Sequence, residues 1–515
     1  MERMQKTGTA QSKPDALSAG TQWRNIDWSK HERIVRRLQV RIAKATRLGK
    51  WKLVERLQYL LTSSFSAKLL AVKKVATNKG KNTAGIDNVT WITDADKYNA
   101  ALNLKARSYK AKALRRTYIP KAKGKKRSLG IPTMHDRAFQ ALWVMALEPV
   151  AETTADHHSY GFRQYRSVAD AIKQCHFALS KRNSTRWVLE GDIKACFDKI
   201  DHQWMIDNIP MNKSVLQQWL KAGYIDKNVF HETREGTPQG GVASPVLANM
   251  VLDGMADAIK RAVPKGKKVN FVRYADDFIC TAKSANLLEE YVLPAIRSFL
   301  KERGLALSEE KTHITNIRKG ITFLGYHLKK FGHKLVTRPA AETMKKFLHR
   351  VFHKLENLRS RVHLDVIKET NRMLNGFANA FILGERKFLS TIDHKVYQKL
   401  RRELRRRHPK KSAKWINETY FKKVQRYKWT FFAHEQKGNA KKTHHLLQMS
   451  SIQWENYVKI RAKATPFDPE FTPYLRQRMA IKIKKRKRKK LNSFPTSTPW
   501  RKFIPGQQEL PLAGS

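Results

Sequence analysis

The sequence predicts an α/β core flanked by helical segments, followed by a basic C-terminal region. Three observations lead there. From about residue 75 to 330, short runs rich in Val, Ile and Phe alternate with helical stretches and Gly/Pro punctuation, the mark of mixed sheet and helix. Before that span, and again from about 340 to 405, apolar residues recur at helical spacing. The 515 residues carry 103 Lys and Arg against 43 Asp and Glu, a net charge of +60.

Composition narrows the function classes. With 41% hydrophobic and 10% aromatic residues the chain can bury a sizeable core, which excludes a wholly disordered basic tail. A charge of +60 opposes compaction unless anions neutralise it, and nucleic acid is the obvious neutraliser. No apolar run approaches the ~18 residues that span a bilayer, and MERMQKTGTAQSKPD has no apolar signal core, so no membrane partner is expected. Cys175, Cys196 and Cys280 stand far apart without a CxxC pair. That excludes a disulfide framework and a Cys₄ zinc site, so no zinc is expected, and it fits a reducing cytoplasmic setting.

In chain order, residues 1–22 are polar and small and read as a flexible N-terminus, with order starting near Trp23. Ser29 with Glu32 reads as a capping box. Val35, Leu38, Ile42 and Ala45 then form an apolar stripe, with Arg36, Arg37, Arg41, Lys44 and Arg47 between them as a cationic flank suited to RNA. Leu53, Val54, Leu57, Leu60 and Leu61 make a second stripe. After the α/β span, Met344, Phe347, Val351, Leu355 and Leu358 form one helical stripe. Phe388, Ile392, Val396 and Leu400 form another, broken by His408-Pro409. The stretch beyond is basic and aromatic, ends in the cationic run Lys484, Lys485, Arg486, Lys487, Arg488, Lys489, Lys490, and gives way to a Pro-rich tail.

Acidic residues are scarce, so clustered ones inform. In WVLEGDI the period-two rule puts Val188, Glu190 and Asp192 on one face of a strand. In VNFVRYADDFICTAK two apolar runs flank Tyr274-Ala275-Asp276-Asp277, which predicts a strand–turn–strand hairpin with the two acids at its tip. Adjacent carboxylates between apolar strands are costly without a cation, and oxygen ligands of this kind suit Mg²⁺.

These segments resemble the polymerase core of the reverse transcriptases encoded by bacterial group II introns. YADD, 274–277, looks like their catalytic hairpin, and GDIKACFD, 191–198, like their first catalytic-aspartate motif. GTPQGGVASPVLANMVLD (236–253), IPKAKGKKRSLGIPTMHDRAFQ (119–140), SYGFRQYRSVADAI (159–172), LSEEKTHI (307–314), FLGY (323–326) and NKGKNTAGIDNVTW (78–91) follow the family's order. The likeness runs from about residue 23 to 480, and so many motifs in order exclude a chance match.

The resemblance implies a right-hand polymerase of fingers and palm, then a helical thumb or maturase domain. The domains are expected at 1–22 (flexible N-terminus), 23–91 (N-terminal extension), 92–335 (fingers and palm), 336–408 (thumb), 409–492 (basic DNA-binding region) and 493–515 (irregular tail). It implies a two-metal Mg²⁺ site on Asp192, Asp276 and Asp277 with the backbone carbonyl of Ile193. Glu190 is read as structural. Phe197 would exclude a ribose 2′-OH, Gln239 would line the incoming nucleotide beside Gly240 and Gly241, and Lys121 and Arg127 would meet its triphosphate. Lys311 would lie near the leaving pyrophosphate. Phe323, Leu324, Gly325 and Tyr326 resemble the primer grip.

The implied partners are group II intron RNA, target DNA, an RNA template with a DNA primer, and deoxynucleoside triphosphates, in a bacterial cytoplasm or at its nucleoid. The implied activities are reverse transcription, splicing as a maturase, and intron mobility. A His-Asn-His nuclease, which many members carry, is expected to be absent, since no Cys or His follows residue 445. A relic that only binds RNA would not need Asp192, Asp276, Asp277 and PQGG. A relative serving repair or phage defence would share every motif.

Overall fold

The computed structural model describes residues 16–105, 109–120, 124, 126–227, 229–237, 240–356, 358, 362–437, 440–452 and 457–481. Lys121, Gln239, the run Lys484 to Lys490 and the tail lie outside the described residues.

The N-terminal region is helical: α1 (Ala16–Arg24), α2 (Trp28–Arg47), α3 (Trp51–Ser63), α4 (Phe65–Thr77) and α5 (Asp94–Asn103). Helix starts at Ala16, earlier than the expected Trp23, because Trp23 is itself an anchor. Its ring is buried and meets Trp28 edge-on at 5.0 Å, while Arg24 pairs with Asp94 of α5 at 3.1 Å. The cap of α2 is Asp27, which accepts from the Lys30 amide at 3.1 Å, rather than Ser29. Val35, Ile42 and Ala45 are buried as expected. The α3 stripe is narrower than the sequence suggests: Val54, Leu57 and Leu61 are buried, while Leu53 and Leu60, at seven-residue spacing on a neighbouring face, stay exposed.

Next come β1 (Leu114–Pro120), β2 (Lys126–Ile131), α6 (Met134–Thr154), α7 (Val168–Leu179), β3 (Trp187–Asp192), α8 (Cys196–Lys199), α9 (His202–Asn208), α10 (Lys213–Leu220), β4 (Tyr224–Asp226) and β5 (Val229–His231). They are followed by α11 (Ser244–Leu252), α12 (Met255–Ala262), β6 (Asn270–Tyr274), β7 (Asp277–Ala282), α13 (Ala285–Leu287), α14 (Leu293–Lys301) and β8 (His313–Asn316). Two four-stranded sheets result: β2-β1-β4-β5 in the fingers and β6-β7-β3-β8 in the palm. Helix α6 is buried on nearly every side, from Ala138 and Phe139 to Leu147 and Val150, and is the post around which the core is packed.

A three-stranded sheet of β9 (Ile321–Phe323), β10 (Tyr326–Phe331) and β11 (Lys334–Pro339) joins the palm to the thumb helices α15 (Ala341–Glu356), α16 (His363–Ala380) and α17 (Lys387–Arg407). The expected boundary at 335/336 falls inside β11, which runs on to Pro339 before α15 can start. Both predicted thumb stripes are buried from Phe347 to Leu358 and from Phe388 to Leu400; Met344, at the head of the first, is partly buried. The region beyond holds a sheet that the sequence reading did not foresee: α18 (Ala413–Tyr420), then β12 (Phe421–Val424), β13 (Tyr427–Lys437) and β14 (Ala440–His445), with Phe421 and Phe431 buried.

The chain then returns to the palm. Arg478 donates to Asp170 at 2.7 Å and Arg166 donates to the Ala462 carbonyl at 2.9 Å. Arg47 and Arg36 of α2 meet Asp468 (2.7 Å) and the ring of Phe467 (5.1 Å).

Candidate active site

Hydrophobic burial places the acids. Phe271 and Val272 of β6 and Phe278, Ile279 and Cys280 of β7 are sunk in the core, so the short turn between the strands must carry the polar residues out. Ala275 and Asp276 form that turn, Ala275 in the left-handed region at φ 57°, and Asp277 begins β7. Strand β3 lies antiparallel to β7 in a register that sets Gly191 opposite Phe278 and Asp192 opposite Asp277. Glycine is required there: a Cβ on Gly191 would meet the Phe278 ring at 2.2 Å.

Three carboxylates thus converge at one end of the palm sheet. Burial and the charges of Asp276 and Asp192 push the Asp277 carboxyl up to about 6, and burial with the Asp192 charge raises Asp276. Like charges directly across a ladder repel. The Lys311 ammonium, at the end of a short turn before β8, offsets part of this by donating to Asp192 Oδ2 at 2.6 Å, a bond that raises its own pKa. The next residues lock the strand end. The Ser308 amide donates to the Asp192 carbonyl at 2.8 Å and the Lys194 amide to the Ala306 carbonyl at 2.9 Å. Ile193 and Leu307 are therefore a pair that exchanges no backbone bond, and the Ile193 carbonyl faces the opposite edge, toward β7.

Four residues that sequence reasoning did not single out hold the hairpin tip. A Cβ on Gly161 would lie 2.3 Å from the Ala275 amide nitrogen. Asn249 of α11 donates to the Gly161 carbonyl at 2.9 Å and accepts from Arg273 at 3.2 Å. Arg273 is fully buried on β6, reaches the Ala275 carbonyl at 3.4 Å, and pairs with Asp253. Burial pushes the Asp253 carboxyl up, and the Arg273 guanidinium beside it opposes that. Asn249 and Asp253, four apart in the otherwise apolar LANMVLD, were the available signal.

Phe197 is half-buried in α8 and meets Phe162 edge-on at 6.4 Å. Its carbonyl accepts from the Thr237 amide at 2.6 Å, and Gly236 packs against Asp198 where a Cβ would sit 2.5 Å from the Asp198 carbonyl carbon. Gly240, at φ 120°, abuts β2, a Cβ there lying 2.5 Å from the Gly130 carbonyl oxygen. Thr237 is thus tied to α8 and Gly240 is seated against β2. Arg127 is exposed on β2 with its charge felt at Asp276.

Phe323 and Tyr326 are buried, Tyr326 donating to the Ala380 carbonyl at 2.6 Å; Leu324 and Gly325, both at positive φ, form a half-buried turn between them. Glu190 accepts from the Thr322 amide at 2.9 Å and so ties β3 to β9. On α2, Arg37, Arg41 and Lys44 are exposed, whereas Arg36 is half-buried against Phe467. All three cysteines are buried, and so is His444, bonded to Glu435 at 2.7 Å rather than lying at the surface. Among the described residues no three His, Cys, Asp or Glu side chains stand close enough to hold a metal ion as they are placed.

Comparison with known proteins agrees with this architecture. Residues 119–328 match the model of the reverse transcriptase (RNA-dependent DNA polymerase) family. Residues 23–104 match the N-terminal domain of reverse transcriptase, and 344–421 the group II intron, maturase-specific domain. Protein YkfC of Escherichia coli (strain K12) is 32% identical over 50% of this chain and 79% of its own length. Group II intron-encoded protein LtrA of Lactococcus lactis subsp. cremoris is 31% identical over 50% of this chain and 54% of its own, so the chain spans about half of LtrA. Maturase-like protein 1 of Euglena gracilis is 24% identical over 64% of this chain and 71% of its own. A telomerase structure from Candida albicans superposes at a TM-score of 0.36 and 13% identity, over 61% of this chain and 63% of its own, too loosely to bear on the site. With the polymerase, N-terminal and maturase segments all matched in order, the chain belongs to the group II intron-encoded reverse transcriptases, RNA-directed DNA polymerases joined to a maturase domain.

Proposed function

We propose that the chain copies RNA into DNA at Asp192, Asp276 and Asp277, and that it also holds its intron RNA as a maturase. The observation that carries this reading is the register of β3 on β7, which sets Asp192 across from Asp277 with Asp276 in the adjoining turn. Carboxylates so opposed favour a divalent counter-charge, and their donor chemistry fits Mg²⁺. Asp192, Asp276 and Asp277 would hold it, with the Ile193 carbonyl as a further oxygen, once side chains close and Lys311 yields Asp192. When bound, two such ions supply Lewis acidity at a primer 3′ oxygen and charge neutralisation at the leaving pyrophosphate.

The chain's own groups do the rest. Arg127 and, outside the described residues, Lys121 would orient the triphosphate; Gln239 would line the base. Phe197 would close the space beside C2′, so that a deoxyribose fits and a ribose does not. Lys311 would hold a proton and a positive charge beside the pyrophosphate. Leu324 and Gly325 would touch the primer backbone. Exposed Arg37, Arg41 and Lys44, with the run Lys484 to Lys490, would meet RNA or DNA phosphates.

The proposed partners are the intron RNA, an RNA template with its DNA primer, deoxynucleoside triphosphates and the target DNA that a spliced intron would enter, at the nucleoid of a bacterial cytoplasm. No helix of the described residues is long and apolar enough to cross a membrane. The test is primer extension on an RNA template with magnesium. Asp276→Ala should abolish extension while splicing of the flanking intron persists; extension that survives the substitution would remove Asp276 from the chemistry.

A further inference from the structure

The fingers sheet has two faces, and strand alternation sorts its side chains between them. Leu129 of β2 turns toward the PQGG loop, since a Cβ on Gly240 would meet its Cδ1 at 3.0 Å. Arg127, two residues earlier, shares that catalytic face. Lys126 and Ser128 point the other way. The register carries the division across the sheet: Ser128 pairs with Tyr118, Leu114 runs beside Tyr224, Tyr224 pairs with His231 and Asp226 with Val229.

That outer face holds a shallow, open depression of about 460 Å³ lined by Tyr118, Lys126, Asp226, Lys227, Val229 and His231. Beside it, the Arg116 guanidinium lies 3.6 Å from the centre of the Tyr224 ring, which in turn stacks on His231 at 5.0 Å. The Tyr118 hydroxyl donates to the Asp226 carboxylate. Tyr118 and Val229 remain 47% and 57% exposed, so among the described residues this surface is left uncovered.

Each feature has a counterpart in an unpaired nucleotide. Exposed rings offer stacking to a base whose faces are free. The Asp226 carboxylate accepts from a base's amino or imino groups, which pairing would hide. Lys126, Lys227 and Arg116 offer charge to the flanking phosphates, and the volume suits a ligand of nucleotide size.

We propose that this outer face of the fingers is a second RNA site that seats one unpaired nucleotide of the intron RNA. It is not a site for the strand being copied, because it lies on the face turned away from Arg127 and the PQGG loop. The inference rests on the reading of the chain as a maturase that binds RNA.

The test uses the full chain with a short labelled RNA containing 4-thiouridine, irradiated with and without a saturating RNA–DNA primer–template. Crosslinks should map to residues 114–120 or 224–231 and persist when the primer–template is present. The double variant Tyr118→Ala, His231→Ala should weaken that RNA's binding about tenfold, as expected for loss of base stacking. Its extension of the primer–template should match the unaltered chain, which also shows that it folds. Displacement of the crosslinks by primer–template, or unaltered affinity in the double variant, would overturn this site and leave the polymerase reading standing. An unaltered chain that binds no RNA at all would overturn both.

Discussion

Gly161 lies so close to Ala275 that a methyl group on the glycine would meet the Ala275 amide nitrogen at 2.3 Å. The contact is backbone to backbone, and neither side can swing away as a flexible side chain could. Gly161 thus sets the height of the turn from which Asp276 and Asp277 emerge. Gly161→Ala should lift that turn, and displacements near 1 Å cost about a hundredfold in rate. Primer-extension kcat should fall by roughly that factor while the melting temperature drops only a few degrees. A kcat within about threefold of the unaltered chain would show that the platform does not set the hairpin.

Arg273 and Asp253 supply a second, separable test. With the guanidinium fully buried, Arg273→Met leaves the Asp253 carboxylate without its partner, a loss of about 3–5 kcal/mol. The urea midpoint should fall accordingly. Asp253→Asn in the same chain removes the stranded charge, so the double variant should be more stable than the sum of the single changes predicts. Simple additivity would mean that the pair is not coupled.

Lys311 is the one cation bonded to the Asp192 carboxylate among the described residues, and its side chain is 63% exposed, so it costs little to remove. Lys311→Ala should leave stability nearly unchanged and lower kcat about a hundredfold, the scale of a lost proton donor or charge stabiliser. Lys311→Arg should recover part of that loss if charge is what matters. Loss of stability with kcat intact would recast Lys311 as a strut.

What was legible in the sequence follows from what is local. Two apolar runs around Ala275-Asp276-Asp277 are read correctly as a hairpin because burial of Phe271, Val272, Phe278 and Ile279 leaves only one way out for the acids. The alternation that put Glu190 beside Asp192 also holds, and Glu190 turns out to bridge two sheets through the Thr322 amide. The ties on the hairpin were not legible, because Gly161, Asn249 and Arg273 meet only across long stretches of chain. The C-terminal sheet was missed for another reason. The charge of RYKWTFFAHEQKGNAKKTHH draws attention to nucleic acid, yet its aromatic run and its Gly-Asn turn signal are those of paired strands. Phe431 buries its ring in the core, while Trp429 stays 45% exposed.

His158 gives the fold a dependence on pH away from the carboxylates. Its carbonyl accepts from the Arg273 amide at 3.0 Å, and its ring is held against Tyr160 and Gln174. Burial, reinforced by the charges of Lys459, His157 and Arg166, lowers its pKa to about 4. An unfolded His titrates near 6.5, so as the pH falls below that value the unfolded chain takes up the proton first. Stability attributable to this ring is therefore whole above about pH 6.5 and lost progressively toward pH 4. His158→Gln keeps a hydrogen-bonding side chain and removes the titration. Between pH 7.5 and 5 its urea midpoint should fall less than that of the unaltered chain, by the equivalent of about 2 kcal/mol. Parallel losses in the two proteins would show that the folded state admits the proton on His158 as readily as water does.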